Sequence, residues 1–213
     1  MIKAVIFDLD GTLLNTSLDL ANALNYALNA YGEKTQTIEE VIGHTGNGNK
    51  NLILRSLSHE VDDKTFDAIF DLFKKYYFDN STNGTYIYDG MVETLNTLKS
   101  RGLKLGVVSN KIDFLTQKII KYYFGDTFDF VTGGRDDIKL KPDPEIIYYA
   151  LENLKVKNDE VIYVGDSFGD YKTSINANVK PVIVTYGFRS REFLESKGAS
   201  PLIDSPKELL KLI

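Results

Sequence analysis

Ile2-Lys3-Ala4-Val5-Ile6-Phe7-Asp8-Leu9-Asp10-Gly11 opens the chain as an apolar, partly β-branched run that stops on two carboxylates and a glycine. A short apolar run closed by turn residues reads as a buried strand. Comparable runs recur at Lys104-Leu105-Gly106-Val107-Val108-Ser109, at Phe128 to Thr132, at Val161-Ile162-Tyr163-Val164 before Gly165-Asp166, and at Pro181-Val182-Ile183-Val184. Helical spacing fills the gaps. Met91 to Arg101 stops at Gly102, Leu115, Ile119, Tyr122 and Tyr123 share a face, and Ile147, Ala150, Leu151 and Leu154 share another after Pro144. Pro is favoured at the first helical position. Strands alternating with helices predict an α/β fold, a Rossmann-like parallel sheet covered on both faces.

The stretch from Asn15 to about Tyr86 breaks that rhythm. Leu20, Leu24, Ala27, Leu28 and Tyr31 share helical spacing, as do Phe66, Ile69, Phe70, Phe73 and Tyr77, and no strand pattern lies between them. A connection this long is far outside the usual βα loop. It predicts an inserted α-helical cap domain over 15–85, with the catalytic core formed by 1–14 and 86–213. Asp79-Asn80-Ser81-Thr82-Asn83-Gly84 supplies a polar return hinge.

Composition sets outer bounds. The 213 residues hold 25 Lys+Arg against 30 Asp+Glu, a formal charge of -5, so no broad attraction to nucleic acid or an anionic membrane is expected. An anionic substrate then requires local charge reversal by a metal or a few placed cations. There is no cysteine, which excludes disulfides and thiolate metal sites. The opening apolar run is broken early by Asp8 and Asp10, unlike a signal peptide, and no stretch approaches a membrane span. A cytoplasmic protein, monomeric or weakly dimeric, is the resulting expectation.

Open α/β sheets bind ligands beyond the carboxyl ends of their strands. The first strand delivers Asp8 and Asp10 there. The Val161 strand delivers Asp166, with Asp170 one helical turn on. If these strands are neighbours, their carboxylates meet and cannot all stay ionised without a cation. An all-oxygen donor set suits Mg2+, or Mn2+, better than zinc. One carboxylate can attack phosphorus and a neighbouring one can move the proton. The Ser109 hydroxyl and the Asn110 backbone offer donors, and Lys141, in the Pro-stiffened Leu140-Lys141-Pro142-Asp143-Pro144, offers a cation for the phosphoryl oxygens. Each piece alone has an ordinary structural reading, Asp166 as a helix N-cap and Lys141 as a surface lysine included. Their order along the chain favours a phosphoryl-transfer site.

These segments resemble the motifs of the haloacid dehalogenase superfamily. Asp8-Leu9-Asp10-Gly11-Thr12-Leu13 is similar to its nucleophile motif. Ser109, Lys141 and Gly165-Asp166-Ser167-Phe168-Gly169-Asp170 are similar to the other three, in the right order. The resemblance implies that Asp8 is the nucleophile and Asp10 the general acid/base, and that Mg2+ is held by Asp8, the Asp10 carbonyl and Asp166. It implies that Asp170 adds a further carboxylate on the metal side. An aspartate at the Asp10 position favours phosphotransfer over dehalogenation. Tyr88-Asp89-Gly90-Met91-Val92-Glu93-Thr94-Leu95, Val107-Val108-Ser109-Asn110-Lys111, Lys141-Pro142-Asp143-Pro144 and Ile203-Asp204-Ser205-Pro206 resemble the phosphoglycolate-phosphatase-like group. The expected activity is hydrolysis of a small phosphorylated metabolite through an aspartyl-phosphate. A phosphomutase, a nucleotidase or pyrophosphatase of the same fold, and an aspartate-phosphorylated signalling module are the alternatives.

Gly43-His44-Thr45-Gly46-Asn47-Gly48-Asn49-Lys50 lacks the Gly-Lys-Ser/Thr of a P-loop and follows no strand. Gly46, Asn47 and Gly48 are instead expected to present backbone amides to substrate from the cap, with His44 a possible companion. His59 reads as solvated, Arg189 and Arg191 as a surface loop, and the pairs Tyr76-Tyr77 and Tyr122-Tyr123 as helix packing.

Overall fold

A computed structural model describes all 213 residues, and the chain divides into two compact units, residues 1–15 with 87–213, and residues 16–86. In the first, strands β1 (Ala4–Phe7), β4 (Lys104–Ile112), β5 (Phe130–Gly134), β6 (Val161–Gly165), β7 (Lys180–Val184) and β8 (Leu202–Ile203) form one parallel sheet in the order β5-β4-β1-β6-β7-β8. The two-residue strands β2 (Leu14–Asn15) and β3 (Tyr86–Ile87) stand where the chain leaves and re-enters this unit. The strands expected from sequence all form, with ends shifted by one to three residues. β5 starts at Phe130 because Phe128 turns inward as a packing group, edge-on to Phe7 and Phe124. β8 was not foreseen.

Covering both faces of the sheet is visible in β1 itself. Val5 and Phe7 join a buried cluster with Leu95, Leu98, Ile119 and Ile120, while Ala4 and Ile6 join another with Ile146, Ile147, Ala150 and Leu154. Alternate strand residues point to opposite faces, so an unbroken apolar run requires cover on both. The first set draws on α5 (Met91–Ser100) and α6 (Asp113–Phe124), the second on α7 (Glu145–Leu154). Tyr122, expected on the buried face of α6, is instead 66% exposed and rests edge-on against Tyr123. Leu115, Thr116, Ile119 and Ile120 make the buried face instead.

The second unit contains α1 (Ser17–Ala30), α2 (Ile38–His44), α3 (Asn49–Ser56) and α4 (Asp63–Asn80). Leu20, Leu24, Ala27 and Leu28 of α1 and Ile69, Phe70, Phe73 and Tyr77 of α4 are buried, and Tyr26 stacks on Tyr76 with ring centres 4.2 Å apart. Tyr31 falls just past α1 and is exposed, since Gly32 enters the left-handed region and ends the helix. A Thr37–Glu40 capping box starts α2, and the Asp62 carboxylate accepts the Thr65 N–H at the start of α4. Asp19, buried in α1, accepts the backbone N–H groups of Gly84 and Thr85 at 2.8–3.0 Å. No helix is long and apolar enough to cross a membrane.

Candidate active site

The relation that brings the carboxylates together is the pairing of β1 with β6. Phe7 lies level with Val164, and the Asp8 N–H donates to the Val164 carbonyl at 2.8 Å. Asp8 and Asp166 therefore leave adjacent strands at nearly the same level. β4 lies on the other side of β1, with Val107 level with Phe7, and carries Ser109, Asn110 and Lys111 beyond that level. The site thus sits at the carboxyl edge of the central strand β1, flanked by β4 on one side and β6 on the other.

Lys141 is buried and ties two carboxylates. Its Nζ lies 2.9 Å from Asp8 Oδ1 and 2.7 Å from Asp170 Oδ1, and donates to the Tyr163 hydroxyl at 2.9 Å. Tyr163 in turn donates to Asp170 Oδ1 at 2.9 Å. The other Asp170 oxygen accepts the Ser167 hydroxyl at 2.6 Å and its N–H at 3.1 Å, while Ser167 Oγ accepts the Asp170 N–H. Ser167 and Asp170 thus form the capping box of α8 (Phe168–Ala177), and the N-cap is Ser167 rather than Asp166.

Asp8, Asp166 and Asp170 are all buried, and each offers a carboxylate oxygen within 4.8 Å of the others. Burial raises all three against ionisation. For Asp8, burial outweighs the Lys141 ammonium and pushes the carboxyl up to about 7, with Asp170 and Asp10 adding to the rise. Asp166 is raised well above the ordinary value by burial and by Asp170 and Asp8, only partly offset by the Phe188 N–H and the Arg189 charge. Asp170 goes the other way. Burial opposes its ionisation, but Lys141, Ser167 and Tyr163 together hold it below the usual carboxylate range. Lys141 is weakened by burial as a cation, yet Asp170 and Asp8 raise it above its ordinary value.

Asp10 pairs with a second lysine, Lys111, whose Nζ lies 2.8 and 3.0 Å from its two oxygens. Four carboxylates, Asp8, Asp10, Asp166 and Asp170, therefore face two ammoniums, Lys111 and Lys141. The donors are oxygens, and two of the three buried carboxyls resist ionisation without further positive charge, so the residues fit a hard divalent metal.

Close backbone packing surrounds Asp166. The Phe188 N–H donates to its Oδ2 at 2.7 Å. A methyl built on Gly11 would meet Oδ2 at 2.0 Å, and one on Gly187 would meet the Asp166 Cβ at 2.5 Å and the Gly11 carbonyl at 2.2 Å. The Gly187–Arg189 segment borders the carboxylates, whereas Arg191 is engaged elsewhere, with Glu195 and Asp204.

Ser109 is buried, and its Oγ accepts the Lys111 N–H at 3.1 Å. The Asn110 side chain is committed to the Lys141 backbone, donating to its carbonyl at 2.9 Å and accepting its N–H at 2.8 Å. Gly46, Asn47 and Gly48 belong to the helical unit. All three have positive φ, and Arg55 donates to the carbonyls of His44 and Gly46. His44 Nδ1 lies 3.0 Å from Ser56 Oγ, and His59 pairs with Glu33 at 3.1 Å.

Sequence reading missed Lys111, Tyr163 and the Gly187–Phe188 backbone. Tyr163 sat inside an apolar strand run and resembled core. The signal for Lys111 was its position two residues after Ser109 on the same strand end.

Comparison with known proteins matches residues 5–184 to the family described as haloacid dehalogenase-like hydrolase. A phosphoglycolate phosphatase from Nitrosospira multiformis is 31% identical over 100% of this chain and 96% of its own length. A solved structure from Lactobacillus delbrueckii subsp. bulgaricus, provisionally named as a phosphoglycolate phosphatase, is 31% identical with a TM-score of 0.92, covering 99% of this chain and 98% of that one. CbbY from Rhodobacter sphaeroides, solved in complex with phosphate, is 25% identical with a TM-score of 0.82, covering 98% and 96%.

Proposed function

From the premise that this chain belongs to the haloacid dehalogenase-like hydrolases and is a phosphoric monoester hydrolase, we propose that it cleaves a small phosphomonoester, 2-phosphoglycolate foremost, through an aspartyl-phosphate on Asp8. The observation that carries this reading is the buried Lys141 ammonium shared between Asp8 and Asp170 beside Asp166, at the ends of two adjacent strands.

An Asp8 oxygen attacks phosphorus and the bond from phosphorus to the ester oxygen breaks, with Asp10 giving its proton to the departing alkoxide. Water then surrenders a proton to Asp10 and attacks the acyl phosphate, releasing inorganic phosphate and restoring the Asp8 carboxylate. Lys141 and the Ser109 hydroxyl balance the charge on the phosphoryl oxygens, where fixed donors act most strongly in a water-poor site. Asp170 and Tyr163 hold Lys141 in place. Asp8, the Asp10 carbonyl and Asp166 would hold Mg2+, which would supply positive charge to the phosphoryl group and allow the carboxylates to ionise together. The helical unit serves as the family's cap, with Gly46, Asn47 and Gly48 as its substrate contacts. The 2-phosphoglycolate assignment draws on the names of the relatives.

The test is phosphate release from 2-phosphoglycolate, sugar phosphates, nucleotides, pyrophosphate and p-nitrophenyl phosphate, with Mg2+, with EDTA, and with Asp8→Asn. Release that needs Mg2+, vanishes in Asp8→Asn and is fastest for 2-phosphoglycolate is the expected result. Turnover surviving Asp8→Asn would sink the nucleophile assignment, and a sugar phosphate isomerised rather than hydrolysed would make the protein a mutase.

A further inference from the structure

We infer that the backbone N–H of Phe188 is a positioning group for the cation site. It holds one oxygen of Asp166, so that this carboxylate presents a single oxygen to a divalent ion and the site favours Mg2+ over Ca2+. The inference rests on the reading above, in which Asp166 holds the metal. It deepens that reading by assigning the choice of ion to the Gly187-Phe188 segment after β7, which the mechanism does not use.

The surroundings of Asp166 Oδ2 carry the argument. It accepts the Phe188 N–H at 2.7 Å. It also rests where a side chain on Gly11 would begin, since a methyl built there would stand 2.0 Å away, and a methyl on Gly187 would stand 2.8 Å away. The methyl on Gly11 would also meet the Phe188 ring at 3.1 Å, so the ring closes the same corner. Backbone thus walls Oδ2 on two sides and a donor fills a third, and Oδ1 is the oxygen this arrangement leaves for an ion. Asp8 is divided in the same way, with Oδ1 held by Lys141. Asp170, by contrast, has both oxygens engaged by Lys141, Tyr163 and Ser167.

One oxygen per carboxylate suits one ion better than the other. Mg2+ is small, keeps a near-octahedral shell and is served by one or two carboxylates, whereas Ca2+ takes more oxygens at longer distances and readily accepts both from one carboxylate. Pinning Oδ2 to the backbone therefore costs Mg2+ little and denies Ca2+ a second donor. Hydrogen bonds to a ligating carboxylate also fix its aim. Burial raises Asp166 against ionisation, with Asp170 and Asp8 adding to the rise, and the Phe188 N–H leads the opposing effects. The same bond thus favours the charged form that an ion binds.

The experiment is isothermal titration calorimetry of the substrate-free full chain with Mg2+ and with Ca2+. Wild type is compared with Phe188→Pro, which deletes the donor, and with an amide-to-ester replacement at Phe188. The ester deletes the donor, keeps the ring and guards against poor folding of the proline variant. Phe188→Leu keeps the N–H and changes the ring. Both proteins without the donor are expected to bind Mg2+ roughly tenfold more weakly and to lose less for Ca2+, so that the preference for Mg2+ falls about fivefold. Phe188→Leu should keep the wild-type preference. Equal losses for the two ions, an ester protein that binds as wild type does, or a preference that falls as far in Phe188→Leu would overturn the inference. Asp166→Ala tests the underlying reading separately. If it binds Mg2+ as tightly as wild type, Asp166 is no ligand, and the metal reading fails before Phe188 is considered.

Discussion

The side chain of Asn110 and the backbone of Lys141 exchange two hydrogen bonds, Nδ2 to the Lys141 carbonyl at 2.9 Å and the Lys141 N–H to Oδ1 at 2.8 Å. An asparagine at the end of one strand thereby fixes the loop that carries the buried ammonium. Removing it in Asn110→Ala leaves a carbonyl and an N–H without those partners, at a cost of about 1–3 kcal/mol. The larger effect is on catalysis, because Lys141 loses its fixed height relative to Asp8. A fall in kcat of roughly tenfold to a hundredfold is expected, read by steady-state kinetics beside a urea melt. Wild-type kcat in a folded Asn110→Ala protein would show that the Lys141 loop holds itself.

Gly11 has no room for a side chain. Its φ is +80°, and an added methyl would meet Asp166 Oδ2 at 2.0 Å. Gly102 has nearly the same φ, +79°, with nothing within 4 Å. The two positions separate backbone strain from crowding. Gly102→Ala is expected to cost about 1 kcal/mol and to leave the response to Mg2+ intact. Gly11→Ala carries the same strain and also displaces an Asp166 oxygen, so the rise in melting temperature on adding Mg2+ should disappear. An undiminished Mg2+ shift in Gly11→Ala would remove Asp166 from the metal site.

Much of this site was legible because strand ends are legible. Asp8, Asp10 and Asp166 each terminate an apolar run, and adjacent parallel strands bring such ends together once β1 and β6 pair. Lys141 was visible through its proline neighbours. Tyr163 was not, since a tyrosine in a buried strand has the same pattern whether its hydroxyl is idle or bridges Lys141 and Asp170. Lys111 carries no role in the sequence beyond its place in Val107-Val108-Ser109-Asn110-Lys111, because only the fold brings Asp10 against it. β8 has two residues, too few to show alternation, and Tyr122 lies one position off the stripe that α6 buries. Periodicity identifies a face to within about one residue, and that uncertainty is enough to misplace a single ring.

Asp19 offers a stability prediction confined to the helical unit. Its buried carboxylate accepts the Gly84 N–H with both oxygens and the Thr85 N–H with Oδ2, where the chain is about to leave that unit. Asp19→Asn keeps the shape but turns an amide NH2 toward backbone donors, and Asp19→Ala removes every acceptor. Bonds to a charged group contribute about 1.5–3 kcal/mol each before the neighbours relax. Both variants should therefore lose at least about 2 kcal/mol in denaturant melts, with faster amide hydrogen exchange at Gly84 and Thr85. Unchanged exchange at those two amides would mean that other acceptors replace the carboxylate.

The last prediction concerns Asp8 and pH. In the metal-free protein burial pushes its carboxyl up to about 7, from an ordinary 3.8. Native protein therefore keeps a proton on Asp8 at pH values where the unfolded chain has released it. The resulting contribution to stability is fully present below the unfolded value and is lost as pH rises through about 7. The interval between the two values corresponds to a change on the order of 4 kcal/mol. Asp8→Asn cannot titrate, so the difference from wild type reports Asp8 together with the neighbours whose ionisation it influences, Asp166 and Lys141, and cancels the groups remote from the site. With EDTA present, the stability of wild type minus that of Asp8→Asn should fall from pH 4 to about pH 7 and level off above it. Mg2+ should reverse the trend, because it binds the deprotonated carboxylate and stabilises the wild type more as pH rises. A difference that stays flat in EDTA would mean that Lys141 alone keeps Asp8 ionised, and that the site needs no metal to hold its carboxylates together.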